Sequence, residues 1–265
     1  MYFRTYKPSW PISDFVDDIW YAESDEASPG KERILPDGRM QILIDLREDK
    51  LNLSLESLNG IGLSGAYSEH FVIGSLSHFQ IMGVSFKAGG SFPFFTMPAS
   101  ELVNIHLPLD DLWGPAAAEL RERLLGETSL INRFHLVENY LLQRAVRQLS
   151  SHPAVTYALS EFQDGRQRTI ASVIDRTGFS NRHFIQLFSQ EVGLTPKIYC
   201  RLLRFREALK KLYRCGPVDL AEIALACGYY DQAHFSNDFK TFSGFSPSAY
   251  LAHRGPYINH IALPD

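Results

Sequence analysis

The stretch TIASVIDRTGFSNRHFIQLFSQEVGLTPKIY, residues 169–199, returns with changed letters as DLAEIALACGYYDQAHFSNDFKTFSGFSPSAY at 219–250. A shift of fifty positions places Ala171, Val173, Gly178 and Phe179 on Ala221, Ile223, Gly228 and Tyr229. A shift of fifty-one places Ser180, His183, Phe184, Phe188, Gly193, Pro196 and Tyr199 on Asp231, His234, Phe235, Phe239, Gly244, Pro247 and Tyr250. The change of offset lies between Phe179 and Ser180, inside a turn, where an added residue leaves the flanking elements intact.

Each copy reads as helix, tight turn, helix. Ile170, Val173 and Ile174 recur at helical spacing, and Gly178 supplies the backbone freedom of a helix end. Ser180 caps a second helix whose buried stripe is Phe184, Leu187, Phe188 and Val192. Asn181, Arg182, Ile185, Gln186, Ser189 and Gln190 are left for solvent. In the second copy Leu220, Ile223 and Ala224 lead to Gly228, Asp231 caps, and Phe235, Phe239 and Phe242 turn inward. Gln232, Ala233, Ser236, Asn237 and Lys240 then face out. Any two short amphipathic helices share this look, but two copies in register point to a helix-turn-helix pair, and a solenoid needs more repeats than two.

With PKIYCRLLRFREALKKLY between the copies and FSGFSPSAY closing the second, Pro153 to His253 resembles the DNA-binding domain of AraC-type transcription regulators. The ending Gly, two residues, Pro and then Tyr stands in both copies at the family's places. The resemblance implies seven helices, with two helix-turn-helix units joined by one long helix and both recognition helices in successive major grooves. Carried over by position, the base-reading residues are Arg182, Ile185 and Gln186, then Gln232, Ala233, Ser236 and Asn237. Asn181, His183, Lys197, Arg201, His234 and Lys240 are carried over as contacts to the DNA backbone. The chain departs from many members in having few cations on its second recognition helix. The implied partners are double-stranded promoter or operator DNA, RNA polymerase and a small-molecule effector of unknown identity, with activation the commoner habit in these bacterial proteins.

Charge follows the same division. Residues 1–150 carry 13 basic and 20 acidic side chains, a net of −7, whereas residues 151–255 carry 13 and 9, a net of +4. An acidic front and a basic back fit a protein whose back half alone meets phosphate. Cys200, Cys215 and Cys227 show no CxxC or metal-ligand spacing and read as small buried apolar residues. Trp10 to Tyr21 is interrupted by Pro11, Asp14, Asp17 and Asp18, and no apolar run reaches spanning length, so a soluble cytoplasmic protein with no membrane partner is expected.

The fold class expected is α+β. Residues 1–150 form a β-rich regulatory domain, a sandwich or barrel, with following helices; 151–255 form the all-α DNA-binding domain; 256–265 form a tail. SDFVDDIWY, with Phe15, Ile19 and Trp20 as candidates for its buried side, reads equally as strand or helix. RMQILIDL and LNLSLESL alternate as strands, and GAYSEHFVIGSL and SHFQIMGVSF add others. KAGGSFPFFTMPASELVNIHLPLDDLWG reads as a long, partly ordered loop with a short helix at ASELVN. Helices follow at Ala116 to Leu125 and Leu130 to Leu149. They either form a homodimer surface or close the open face of the β-domain, and the sequence leaves both open. LPDGRMQILIDL and GVSFKAGGSFPFF followed by PASEL are similar to an N-terminal domain on one group of AraC-type regulators, which implies a regulatory role.

Other motifs carry less. GIGLSG, Gly60 to Gly65, spells GxGxxG, yet turn and strand rather than a helix follow it, so two hairpin turns account for it and no cofactor is expected. His70, His78, His106 and His135 lack metal-ligand spacing, so no metal is expected. Asp17-Asp18 and Asp110-Asp111 point apart and suit solvent or capping rather than acid/base work. An alkyl-acceptor repair protein needs a reactive cysteine ahead of the DNA-binding domain, and none precedes Cys200. A cupin-like enzyme lacks its clustered His and Glu. A regulator rather than an enzyme is expected, with no catalytic residues, and an effector-independent DNA binder is the alternative.

Overall fold

The computed structural model describes residues 1–25, 30–47, 58–74, 78–164, 169–214, 219–255 and 257–263. Its first half is built on a six-stranded antiparallel sheet in the order β1 (Tyr2–Tyr6), β2 (Val16–Ser24), β7 (Phe79–Phe86), β4 (Gln41–Asp45), β5 (Ile61–Ser64) and β8 (His106–Pro108). The sheet is open, with β1 and β8 at its edges. SDFVDDIWY resolves into a 3₁₀ turn at Ile12–Asp14 leading into β2, and β2 bulges between Val16 and Asp18. Its neighbours demand an extended chain, since it is paired on both sides. Phe15 and Ile19 are buried as expected, and Trp20 lies on the opposite face with Leu43, Phe79 and Ile81. The expected strand at LNLSLESL lies, apart from Leu58, outside the described residues.

A three-stranded sheet, β6 (Phe71–Ile73), β3 (Glu32–Ile34) and β9 (His260–Ala262), joins the two ends of the chain. The stretch expected as a C-terminal tail therefore contains a strand. β9 pairs antiparallel with β3, His260 lies 2.8 Å from the Glu32 carboxylate, and Ile261 is fully buried.

The segment after Lys87 was expected as a partly ordered loop and is instead part of the core. Phe94 and Phe95 pack against Phe86, and Phe95 stacks on Trp113 at 5.7 Å. Aromatic burial holds this stretch where backbone periodicity does not. Ala99–Leu102 forms a 3₁₀ turn. α1 (Asp110–Trp113), α2 (Pro115–Gly126) and α3 (Leu130–Arg144) follow. α3 stops five residues short of the expected Leu149. There the backbone N–H groups of Val146 and Arg147 donate to Pro93 O, and the Arg147 guanidinium donates to Phe92 O at 2.8 Å and Thr96 O at 2.7 Å, as well as to Phe95 O. Tertiary partners for the backbone outcompete another helical turn. Glu138, buried on α3, accepts from Tyr6 Oη at 2.6 Å and from Ser9 N, tying the helix to the first strand.

The second half is all helix: α4 (Pro153–Gln163), α5 (Ile170–Thr177), α6 (Asn181–Val192), α7 (Pro196–Arg214), α8 (Leu220–Ala226), α9 (Gln232–Ser243) and α10 (Pro247–His253). One hydrophobic cluster runs from Ile12 to Ile261, so the two halves share their core. A contact of particular consequence is Gly38, at φ +72°, where an added Cβ would fall 2.5 Å from Leu202 Cδ2 on α7. Glycine there satisfies both the left-handed turn and the close approach of the connecting helix.

Candidate nucleic-acid interface

Each unit is assembled by local chemistry that can be followed atom by atom. Gly178 and Gly228 adopt φ of +75° and +76° at the ends of α5 and α8. Ser180 Oγ accepts from His183 N at 3.4 Å, and Asp231 Oδ1 accepts from His234 N at 2.7 Å, so both expected N-caps form. Phe184 and Phe188 in α6, and Phe235 and Phe239 in α9, are fully buried. Both helices pack on α7, whose Leu202, Phe205, Ala208, Leu209 and Leu212 are buried. Phe205 meets Phe239 and Phe242, each at 5.1 Å.

The faces opposite these rings are free. Asn181, Arg182, His183, Ile185 and Gln186 are exposed on α6, while Ser189 and Gln190 nearer its end are half-buried. On α9, Gln232, Ala233, His234, Asn237 and Lys240 are exposed and Ser236 is half-buried. The base-reading and backbone residues carried over by position on these helices therefore stand on two surfaces presented from one connecting helix. Lys197 is exposed at the start of α7. Arg201 is differently placed: its Nε and Nη2 both donate to Asp238 Oδ1, with Nε at 2.8 Å, which ties α7 to α9. Asp238 is only 4% exposed, so this pair is a fixed joint between the connecting helix and the second recognition helix.

Two residues at this interface are not among those carried over by position. Tyr230, 87% exposed, is the extra residue created by the change of offset between the copies, and it sits one position before the Asp231 cap. The offset was its signal. Arg204 lies seven positions after Lys197 on the same face of α7, with its guanidinium 5.3 Å from the Tyr229 ring.

The front half meets α6 and α9 at their C-terminal ends. The end of α6 packs against the Ala99–Leu102 turn, and within the back half the buried Glu191 accepts from His152 N at 3.1 and 3.2 Å. Burial pushes the Glu191 carboxyl above its ordinary range. At the end of α9, Arg33 donates to Ser243 O at 3.2 Å and covers the Phe245 ring at 4.4 Å, and His70 Nδ1 lies 3.3 Å from Phe242 O. Burial and the Arg33 charge hold His70 below its ordinary pKa.

Burial pushes the Cys200 and Cys227 thiols up to about 11, and Cys215 lies outside the described residues. Among the described residues no group of three or more His, Cys, Asp or Glu could hold a metal ion, and no helix is long and apolar enough to cross a membrane. GIGLSG contributes β5, with no helix opening after it. Asp17 pairs with Lys7 at 3.1 Å and with Arg39 at 2.9 Å.

Comparison with known proteins finds similarity in both halves of the chain. Residues 173–253 match a family described as a helix-turn-helix domain, and residues 4–108 match a domain of unknown function. An uncharacterized HTH-type transcriptional regulator of Haemophilus influenzae is 30% identical over 58% of this chain and 57% of its own length. The HTH-type transcriptional activator RhaS of Escherichia fergusonii is 36% identical over 29% of this chain and 27% of its own. Among solved structures, the C-terminal domain of AraT, a response regulator from Geobacillus stearothermophilus, is 27% identical and covers 40% of this chain and 91% of that one, at a TM-score of 0.36.

Proposed function

We propose that this chain, which carries an AraC-type helix-turn-helix region at residues 173–253, is a DNA-binding transcription regulator whose front half controls how its two recognition helices meet DNA. The observation that supports this most directly is the pair of capped, polar-faced helices, α6 and α9, both seated on α7. α7 has 19 residues and spans roughly 28 Å at about 1.5 Å per residue, close to the ~34 Å of one turn of DNA. Arg182 and Gln186, one turn apart on the free face of α6, suit guanine and adenine edges in a major groove, while Gln232, Ser236 and Asn237 offer neutral hydrogen bonding from α9. The division at about residue 150 into a regulatory and a DNA-binding domain, contact with RNA polymerase, activation, a second copy and a cytoplasmic location belong to the same proposal.

The anchoring of both recognition helices on the front half supports regulation, because any change there alters their relative placement. One observation favours a regulator with no effector: Phe86 on β7, Phe94, Phe95 and Trp113 pack ring against ring beside the six-stranded sheet. A small-molecule screen by thermal shift on the full chain separates these alternatives. For DNA binding itself, the test is a hydroxyl-radical footprint of the full chain on duplexes selected from a random library. Two protected stretches about one helical turn apart are expected, and protection of a single stretch would remove the second unit from the proposal.

A further inference from the structure

The second unit buries polar atoms where the first buries hydrocarbon. Leu187 on α6 packs against the common core, and the matching place on α9 is taken by Asp238, which is 4% exposed. Phe179 before α6 is matched by Tyr229, a buried phenol whose pKa is raised by its burial and then by the Asp238 charge. Among the described residues, Asp238 Oδ2 and Tyr229 Oη are buried with no hydrogen-bond partner. Each lowers stability relative to the leucine and the phenylalanine of the first unit.

What the polar atoms supply is direction. Phe235, Phe239 and Phe242 seat α9 on α7 through apolar contact, which is non-directional and tolerates rotation of the helix about its own axis. Asp238 stands on the flank of that stripe which leads round to Asn237. There Arg201 Nε and Nη2 both donate to Asp238 Oδ1, and the same guanidinium lies 5.3 Å from the Phe242 ring. A charge-assisted contact with two donors on one flank fixes a rotation that rings alone leave soft. It also commits two of the donors with which Arg201 could hold a phosphate.

We propose that Asp238 and Arg201 are positioning residues for base reading by α9, setting the rotation at which Gln232, Ser236 and Asn237 face their base pairs, and that Arg201 is not a contact to the DNA backbone. The proposal rests on the reading that α9 enters a major groove. A helix with its side chains has a radius of about 5–6 Å, so a turn of about 20° carries the Asn237 amide roughly 2 Å, more than a hydrogen bond to a base edge tolerates. Neutral amides and hydroxyls read by direction, and α9 has no arginine on its free face to reach past such an error. The first unit, with Leu187 in this place, presents Arg182 instead.

The experiment compares the full chain with its variants in selections from a random duplex library and in salt titrations of one selected duplex. Arg201→Gln and Asp238→Asn are expected to relax base preference roughly tenfold at the positions that Asn237→Ala also relaxes. The positions governed by Arg182 and the salt slope should stay as in the parent. Because either single change can loosen the unit, the apolar pair Arg201→Met with Asp238→Leu is measured beside them. It restores the leucine of the first unit, its melt should show it folded at the temperature of the selections, and its preference should still be relaxed. Preference intact in the apolar pair overturns the positioning role. A salt slope reduced by about 1 in Arg201→Gln, with every duplex weakened alike and Asp238→Asn without effect, returns Arg201 to the DNA backbone and overturns the proposal. A parent chain that enriches no sequence, or whose preference Asn237→Ala leaves untouched, defeats the reading that α9 enters a groove, and the proposal with it.

Discussion

The two helix-turn-helix units share a frame and differ in what they offer. α6 presents Arg182, Ile185 and Gln186, whereas α9 presents neutral residues with Lys240 as its exposed cation. Leu187 of α6 is replaced at the matching place on α9 by Asp238, which α7 holds through Arg201. The second turn also carries Tyr230, with Leu225 65% exposed nearby. Fixed positions are thus those that bury rings and cap helices, while the exposed positions have diverged toward charge in one unit and toward amides and an aromatic in the other. The frame sets where a recognition helix sits, and the divergence sets what it can recognise.

The comparison breaks most visibly if the frames are not equally essential. Phe184→Ala and Phe235→Ala each empty a fully buried ring site and should cost about 3–5 kcal/mol of stability. Denaturant melts of the full chain check this; a cost below about 1 kcal/mol at either site would mean that unit has relaxed its core. On the exposed side, Arg182→Ala should cost roughly 1–3 kcal/mol in binding and relax one base position, while the neutral Asn237→Ala should cost less. Parallel selections from a random duplex library decide between them, and a uniform loss across sequences for Arg182→Ala would reassign that side chain to phosphate.

The caps come next in size. Asp231→Ala and Ser180→Ala should each lower stability by about 1 kcal/mol, with Asp231 the larger because its carboxylate bonds at 2.7 Å and opposes the positive end of α9. Thermal melts order the pair, and a larger loss at Ser180 contradicts the argument. Smallest is the pH effect at the grip on α9. His70 titrates lower in the folded chain than in the unfolded one, so its contribution is present above about 6.5, the ordinary histidine value, and is lost as pH falls through its depressed folded value. Melting His70→Gln beside the parent between neutral and mildly acidic pH should show a shallower fall in the variant; identical slopes would remove His70 from the account.

How much of this could be read from the letters follows the range of the interactions. Gly178, Ser180, Gly228 and Asp231 announced themselves because turns and caps act within three or four residues, and Phe184 and Phe235 because a helix repeats its buried side. The pairing of β3 with β9 joins three-residue strands from opposite ends of the chain, and no local pattern reports such a partner. Phe94 and Phe95 sat among glycines and prolines that signal loop, although Phe15 and Phe86 hold the first ring and Trp113 the second. Arg201 showed its charge in the sequence but not Asp238, which lies 37 residues away. The exposed faces of α6 and α9 were therefore legible as surfaces, while the joint between α7 and α9, which depends on how the two helices meet, was not.

β9 changes the mechanics of the whole back half. The helices from α4 to α10 leave the front half after α3 and are led back to it by a strand hydrogen-bonded to β3, with Leu263 N also donating to Lys31 O at 2.9 Å. The back-half helices are thereby held to the front half at this strand as well as at the ends of α6 and α9, and a fusion placed after Leu263 would load the front half rather than hang from the back half.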